Sequence, residues 1–147
     1  MSVKQPPTRE AYAAWRTATT RWADIDVYGH LNNARYFELI DTAVNAHLAE
    51  ATGVDIRTLD AIGVVAEVGC RYFAEVGYPD PVELGLAVER VGTTSIIYRI
   101  GIFQGRETAS AEGRFVHVYV DNTDPARPST PIPVQIREVV AALPTYE

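Results

Sequence analysis

The stretch from Arg21 to Tyr36, RWADIDVYGHLNNARY, gathers two carboxylates, a glycine, a histidine and two asparagines immediately ahead of an amphipathic segment. A helix N-terminus offers unpaired backbone N–H groups and the positive end of a dipole. Asp24, Asp26, Gly29, His30, Asn32 and Asn33 so placed could serve an anion, a polarised carbonyl or a metal. The metal reading is weak. Asp24, Asp26, Tyr28 and Gly29 fall at positions 1, 3, 5 and 6 of an EF-hand-type calcium loop, but position 12 is Arg35, a cation where a bidentate glutamate is needed. His30, His47 and His117 lie on three separate segments, without the spacing of a transition-metal site. Asp24 reads as a structural carboxylate that satisfies loop N–H groups. His30 stays open between a ligand-positioning and a structural role. Cys70, in an apolar alternating run, reads as a small core filler rather than a nucleophile.

The elements that must position these residues follow from periodicity. From Asn33, apolar residues recur at Tyr36, Ile40, Ala43, Val44, His47 and Ala51, with polar residues between them, which predicts a helix of about five turns. Asn32 or Asn33 can cap its start, and Gly53 suits its C-terminal end. Ala13–Arg21 reads as a strand. After Gly63 the period becomes 2: Val64, Ala66, Val68, Cys70 and Tyr72 are expected on one face of a strand, followed by strands over Val82–Glu89, Thr94–Phe103 and Thr108–Val120. The last two are apolar on both sides, which predicts a face for a second subunit. Short turns between the strands predict an antiparallel meander. Pro133–Leu143 reads as a short C-terminal helix, and residues 1–10, with Pro6 and Pro7, as a loose arm. The sum is one α+β domain over residues 1–147, its sheet burying the helix.

Composition narrows the function. A net charge of −6 without a basic patch gives no footprint for nucleic acid or an anionic membrane. One cysteine excludes an intramolecular disulfide framework and suits a reducing compartment. No apolar run approaches signal-peptide length or the roughly 18 residues of a membrane span. The expectation is a soluble, unprocessed, cytoplasmic protein.

The run from Asp24 to Glu38, D-x-D-V-Y-G-H-L-N-N-A-R-Y-F-E, resembles the signature of hotdog-fold acyl-CoA thioesterases of the 4-hydroxybenzoyl-CoA thioesterase-like family. The resemblance extends in element order over most of the chain. It implies a hotdog fold: a long central helix wrapped by a five- or six-stranded antiparallel sheet, with a short C-terminal helix. It also implies that Asp26, the second aspartate of the motif, is the catalytic carboxylate, and that a backbone N–H near Asn33 stabilises the oxyanion. An aspartate of ordinary pKa near 4 is ionised at neutral pH and can attack a thioester or deprotonate a water. One oxyanion donor is typically worth about 2.7 to 4 kcal/mol.

The substrate-binding candidates are Gly29, His30, Asn32, Tyr36, Phe37 and Arg71, with the acyl group along the helix near Phe37 and Ile40, against the strands of a neighbouring subunit. Arg35, Arg71, Arg99 and Arg127 are the cations on hand for CoA phosphates. The substrate is an acyl-CoA, no cofactor is needed beyond it, and a homodimer or dimer of dimers is expected. Two alternatives stand beside hydrolysis. The acyl-thioester hydratase or dehydratase class resembles an Asp-x-x-x-x-His arrangement or a His with a helical acid, whereas Asp26–His30 has one intervening residue too few for the first and Asp24–His30 one too many. A non-catalytic acyl-CoA-binding module would keep the pocket without needing Asp26.

Overall fold

The computed structural model describes residues 5–147. In chain order the main elements are β1 (Ala13–Ala18), α1 (Asn33–Thr52), β2 (Ala61–Tyr72), β3 (Val82–Val91), β4 (Ser95–Phe103), β5 (Ala111–Asp121) and α2 (Val134–Ala141). α1 forms where the 3.6-residue period predicts it, and both ends are secured locally. Asn32 Oδ1 accepts from the Ala34 N–H at 2.9 Å, and Gly53, at φ 71°, closes the other end with its N–H on Ala49 O. Asn32, not Asn33, is the cap. The buried line runs through Tyr36, Leu39, Ile40, Ala43, Val44 and Leu48. This corrects the expected stripe at its C-terminal end. His47 is half-buried and Ala51 exposed, because Leu48 carries the larger apolar side chain into the sheet. Each full-sized side chain buried along that line contributes about 1.5 to 3 kcal/mol.

The five strands form one antiparallel sheet in the order β1-β3-β4-β5-β2. Only β3, β4 and β5 make a meander. β2 crosses to the far edge beside β5, and the connector over residues 73–81 carries the chain back past the start of α1, where Leu31 N–H donates to Val76 O at 2.8 Å. One face of the sheet buries α1. Gly113 of β5 permits the closest approach, since a Cβ there would lie 2.5 Å from Ile40 Cδ1.

Two expected strand patterns are corrected. In β2 the register with β5 shifts between Val65 and Glu67, so Val65 faces His117 while Glu67 faces Val116. An extra residue at a bulge exchanges the two faces of a strand. Gly63 and Val65 therefore share the helix side with Val68, Cys70 and Tyr72, and Val64 and Ala66 do not. The outer face of the central strands is also less apolar than the alternation predicts. Glu67, Arg114, Glu89, Arg99 and Glu112 form a chain of ion pairs across it. Tyr12 Oη and Tyr146 Oη both donate to Glu112, at 2.5 and 2.8 Å.

The expected loose arm is partly packed. Residues 1–4 lie outside the described residues, but Pro7 O accepts from Ala109 N–H, Thr8 bridges to Thr108, and Arg9 pairs with Glu83 at 3.0 Å while lying over the Phe103 ring. Cation–ring and ion-pair contacts hold what the polar composition alone leaves loose. α2 sits where predicted, with Ile136 and Val140 buried.

Candidate active site

The loop between β1 and α1 is built by its own polar side chains. Asp24 is 3 % exposed and receives Arg21 from three directions: the backbone N–H at 2.8 Å, Nη2 at 2.7 Å and Nε at 3.0 Å. Arg35 Nε stands 3.3 Å from its other side. The Arg21 guanidinium holds the Asp24 carboxyl below the usual carboxylate range, against the opposing effect of burial. Asp24 O also accepts from Asn32 N–H at 2.7 Å, so this saturated aspartate braces the turn into α1.

Asp26 is placed differently. Its backbone N–H donates to His30 O, Gly29 N–H returns to Asp26 O, and Gly29 takes φ 82° to make that tight turn. The turn brings two backbone donors onto one carboxylate oxygen: Tyr28 N–H at 2.9 Å and His30 N–H at 3.1 Å, both on Oδ1. Oδ2 has no hydrogen-bond partner among the described residues. The carboxylate is therefore oriented through one oxygen and chemically available through the other.

Asp26 opens onto a cleft of about 480 Å³ whose walls include His30, Asn33, Tyr36, Tyr72, Phe73 and Glu75. At its floor Tyr36 and Tyr72 meet edge to face with ring centroids 5.0 Å apart, and burial pushes the Tyr36 phenol up to about 12. The Tyr72 hydroxyl donates to Asn33 Oδ1, tying the end of β2 to the start of α1. The Asn33 backbone N–H, at the first position of α1, has no acceptor among the described residues. A carboxylate oxygen and a helix-terminal N–H, both unpartnered, thus share one cleft.

The remaining predicted residues fall into two groups. His30 lines the cleft and Nε2 lies 3.2 Å from Glu75 Oε1, a partner that sequence spacing could not supply because Glu75 comes from the β2–β3 connector. Asn32 and Gly29 shape the loop and do not line the cleft. Phe37 is half-buried against the core, outside the cleft lining, and Ile40 is fully buried beneath Gly113. Arg71 is exposed beside Tyr72. Arg99 is consumed by Glu89 and Glu112 on the outer sheet face, Arg35 is drawn to Asp24 and Glu38, and Arg127 belongs to the opposite end of the domain. Cys70 is a half-buried thiol pushed up to about 11 by burial, an unreactive neighbour of Tyr36. Tyr72, Phe73 and Glu75 were missed; the aromatic pair closing a strand was the only local signal for them.

A long helix buried by one face of an antiparallel sheet, with a carboxylate loop at the helix N-terminus, defines the hotdog class. The chain belongs to the thioesterase-like superfamily, which matches it over residues 20–142. Among solved structures it is similar to the PA5185 protein from Pseudomonas aeruginosa strain PAO1, with 42% identity over 95% of this chain and 97% of that one and a TM-score of 0.88. Slr0204 of Synechocystis, a 1,4-dihydroxy-2-naphthoyl-CoA thioesterase, shares the fold at 14% identity and a TM-score of 0.76, covering 87% of this chain and 95% of that one. BH1999, a gentisyl-coenzyme A thioesterase, does so at 19% identity and a TM-score of 0.74, covering 86% and 98%. Among curated proteins none matches the sequence. No helix among the described residues is long and apolar enough to cross a membrane.

Proposed function

We propose that the protein hydrolyses an acyl-CoA thioester to the free acid and coenzyme A, with Asp26 as nucleophile or general base. The observation that carries this reading is the pair of unpartnered groups on one cleft, Asp26 Oδ2 and the Asn33 N–H. A thioester carbonyl whose oxygen rests on the Asn33 N–H exposes its carbon to Asp26 or to a water beside it. In the water route, Asp26 takes a proton as the C–O bond forms. The C–S bond then breaks, and the CoA thiolate is protonated as it leaves. In the covalent route the carboxylate attacks first, the C–S bond of the adduct breaks to expel the thiolate and leave a mixed anhydride, and water then cleaves the anhydride to release the acid and restore the Asp26 carboxylate. A thiolate is a good leaving group, so neither route needs a stronger base, and neither needs a cofactor.

His30 and Asn32 position the loop, Gly29 makes its turn, and Tyr36, Tyr72 and Phe73 suit a compact or aromatic acyl group. That preference is in keeping with the aromatic acyl-CoA named for Slr0204 and BH1999. Arg71 is the exposed cation nearest in sequence to this wall and the candidate for a CoA phosphate. The protein works as a homodimer or dimer of dimers. Support comes from β2, a twelve-residue edge strand that leaves Val64, Val65, Val68 and Tyr72 exposed, since a long apolar edge is normally covered. A reducing, cytoplasmic setting suits the lone thiol.

The test is thiol release from a panel of short-chain, long-chain and aromatic acyl-CoAs. Hydrolysis of at least one member that is lost in Asp26→Asn supports the reading. Undiminished turnover in Asp26→Asn overturns the role of Asp26, and no release from any member favours a binding module.

A further inference from the structure

A second cavity, of about 310 Å³, lies between the C-terminal half of α1, the start of β2, the end of β5 and α2. Its walls are mainly apolar, with Leu48, Ile56, Ile62 and Ile136 among them, and it is large enough for a small organic ligand. It is remote from the Asp26 cleft. Asn33 on one site and Asn45 on the other are separated along α1 by about 18 Å at 1.5 Å per residue.

Two features make this cavity more than a packing gap. His117 lines it at 2 % exposure, and its Nδ1 has no hydrogen-bond partner among the described residues. A buried polar atom left unpaired costs stability, so the position calls for a partner. Gly63 makes room for that imidazole: a Cβ there would lie 2.8 Å from Nδ1. At the rim, Arg57 is clasped by Asp55 at 2.9 and 2.8 Å, whereas the Arg127 guanidinium has no ion pair or hydrogen bond among the described residues. Arg127 is also held at φ 47°, a left-handed backbone conformation that ordinary side chains seldom adopt.

The chemistry at the two ends differs. Burial pushes the His117 imidazole down to about 4, so at neutral pH it offers one N–H and one lone pair without charge. A neutral hydroxyl or carbonyl suits it, and an anion does not. Arg127 offers the reverse, a fixed positive charge at the solvent end.

We propose that this cavity is a second ligand site, distinct from the Asp26 cleft, for a compact apolar carboxylic acid that carries a hydroxyl or carbonyl at its far end. The carboxylate pairs with Arg127, the apolar body lies against Leu48 and Ile136, and the distal polar group meets His117. Nothing in this assignment depends on thioester hydrolysis.

The test is calorimetric titration of the full chain with 3-(4-hydroxyphenyl)propionate and, in parallel, with 3-phenylpropionate, while amide NMR shifts locate each ligand. Saturable binding of the hydroxylated acid is expected, with shifts at Gly63 and Asn122 and none at His30 and Asn33. The acid without the hydroxyl should bind about five-fold more weakly, the usual scale of one hydrogen bond. His117→Phe should remove that difference, and Arg127→Gln should weaken both acids. Gly63→Ala, which crowds the imidazole, is the second variant should His117→Phe not fold. Absence of saturable binding, shifts confined to the Asp26 cleft, or equal affinity of the wild-type protein for the two acids overturns the assignment.

Discussion

Asp26 and His30 are joined twice, by the Asp26 N–H on His30 O at 2.8 Å and by the His30 N–H on Asp26 Oδ1 at 3.1 Å. The main chain of the motif histidine thus orients the carboxylate, while its side chain turns to Glu75. Replacing Asp26 by Asn keeps the size of the group and removes the charge and the basic oxygen. On the proposed mechanism kcat for the best acyl-CoA falls by about 100-fold or more, the low end of what general-base catalysis supplies. Thiol-release kinetics measure it, and an unchanged melting temperature shows that the fold survives.

Tyr72→Phe removes the hydroxyl that ties β2 to Asn33 Oδ1 and leaves the ring contact with Tyr36. At a half-exposed residue the stability cost is about 0.5 to 1.5 kcal/mol. If the helix start supplies the oxyanion donor, kcat should fall several-fold more than KM rises. A change confined to stability would assign Tyr72 to the scaffold alone.

His117 gives a pH prediction whose sign follows from its burial. Its folded-state pKa lies near 4, below the 6.5 of an unperturbed histidine, so between those values the unfolded chain binds the extra proton. Stability is therefore complete above pH 6.5 and declines as pH falls toward 4, by up to about 3 kcal/mol from this one group. Urea denaturation of wild type and His117→Phe across pH 7 to 4 tests it: the variant should show the shallower decline.

Gly113→Ala drives a methyl group toward Ile40 Cδ1, 2.5 Å from where the Cβ must sit. Both residues are fully enclosed, so α1 must lift or Ile40 must leave its rotamer. A loss of about 1 to 3 kcal/mol is expected, as for other overpacked cores. Chemical denaturation at neutral pH provides the check.

Val65→Lys places a charge on the open β2 edge, at a position half exposed in the single chain. Edge lysines are tolerated by a sheet and oppose strand-to-strand association. Sedimentation should show wild type as a dimer or larger and the variant shifted toward monomer. Identical masses for the two would move the subunit contact elsewhere.

Much of the fold was legible because it is encoded between near neighbours. The 3.6-residue period announces α1, Asn32 and Gly53 mark its ends, and the order of loop, helix and strands survives intact. The motif spacing likewise places Asp26 and Asn33 within one loop, and the structure brings both to one cleft. Strand faces were less legible. A single bulged residue near Ala66 exchanges the sides of β2, and no local pattern distinguishes a bulge from continued alternation.

By itself, then, the sequence determined the elements, the helix caps and the motif loop, all of which rest on interactions a few residues apart. The tertiary structure alone decided that β2 lies at the far edge, that Tyr72, Phe73 and Glu75 complete the cleft, and that Arg99 and Ile40 are withdrawn from it. It also set an unpaired His117 into a cavity at the other end of α1. These features depend on pairing between segments tens of residues apart, where each partner is chosen by shape and charge across space and leaves no mark on its neighbours in the chain.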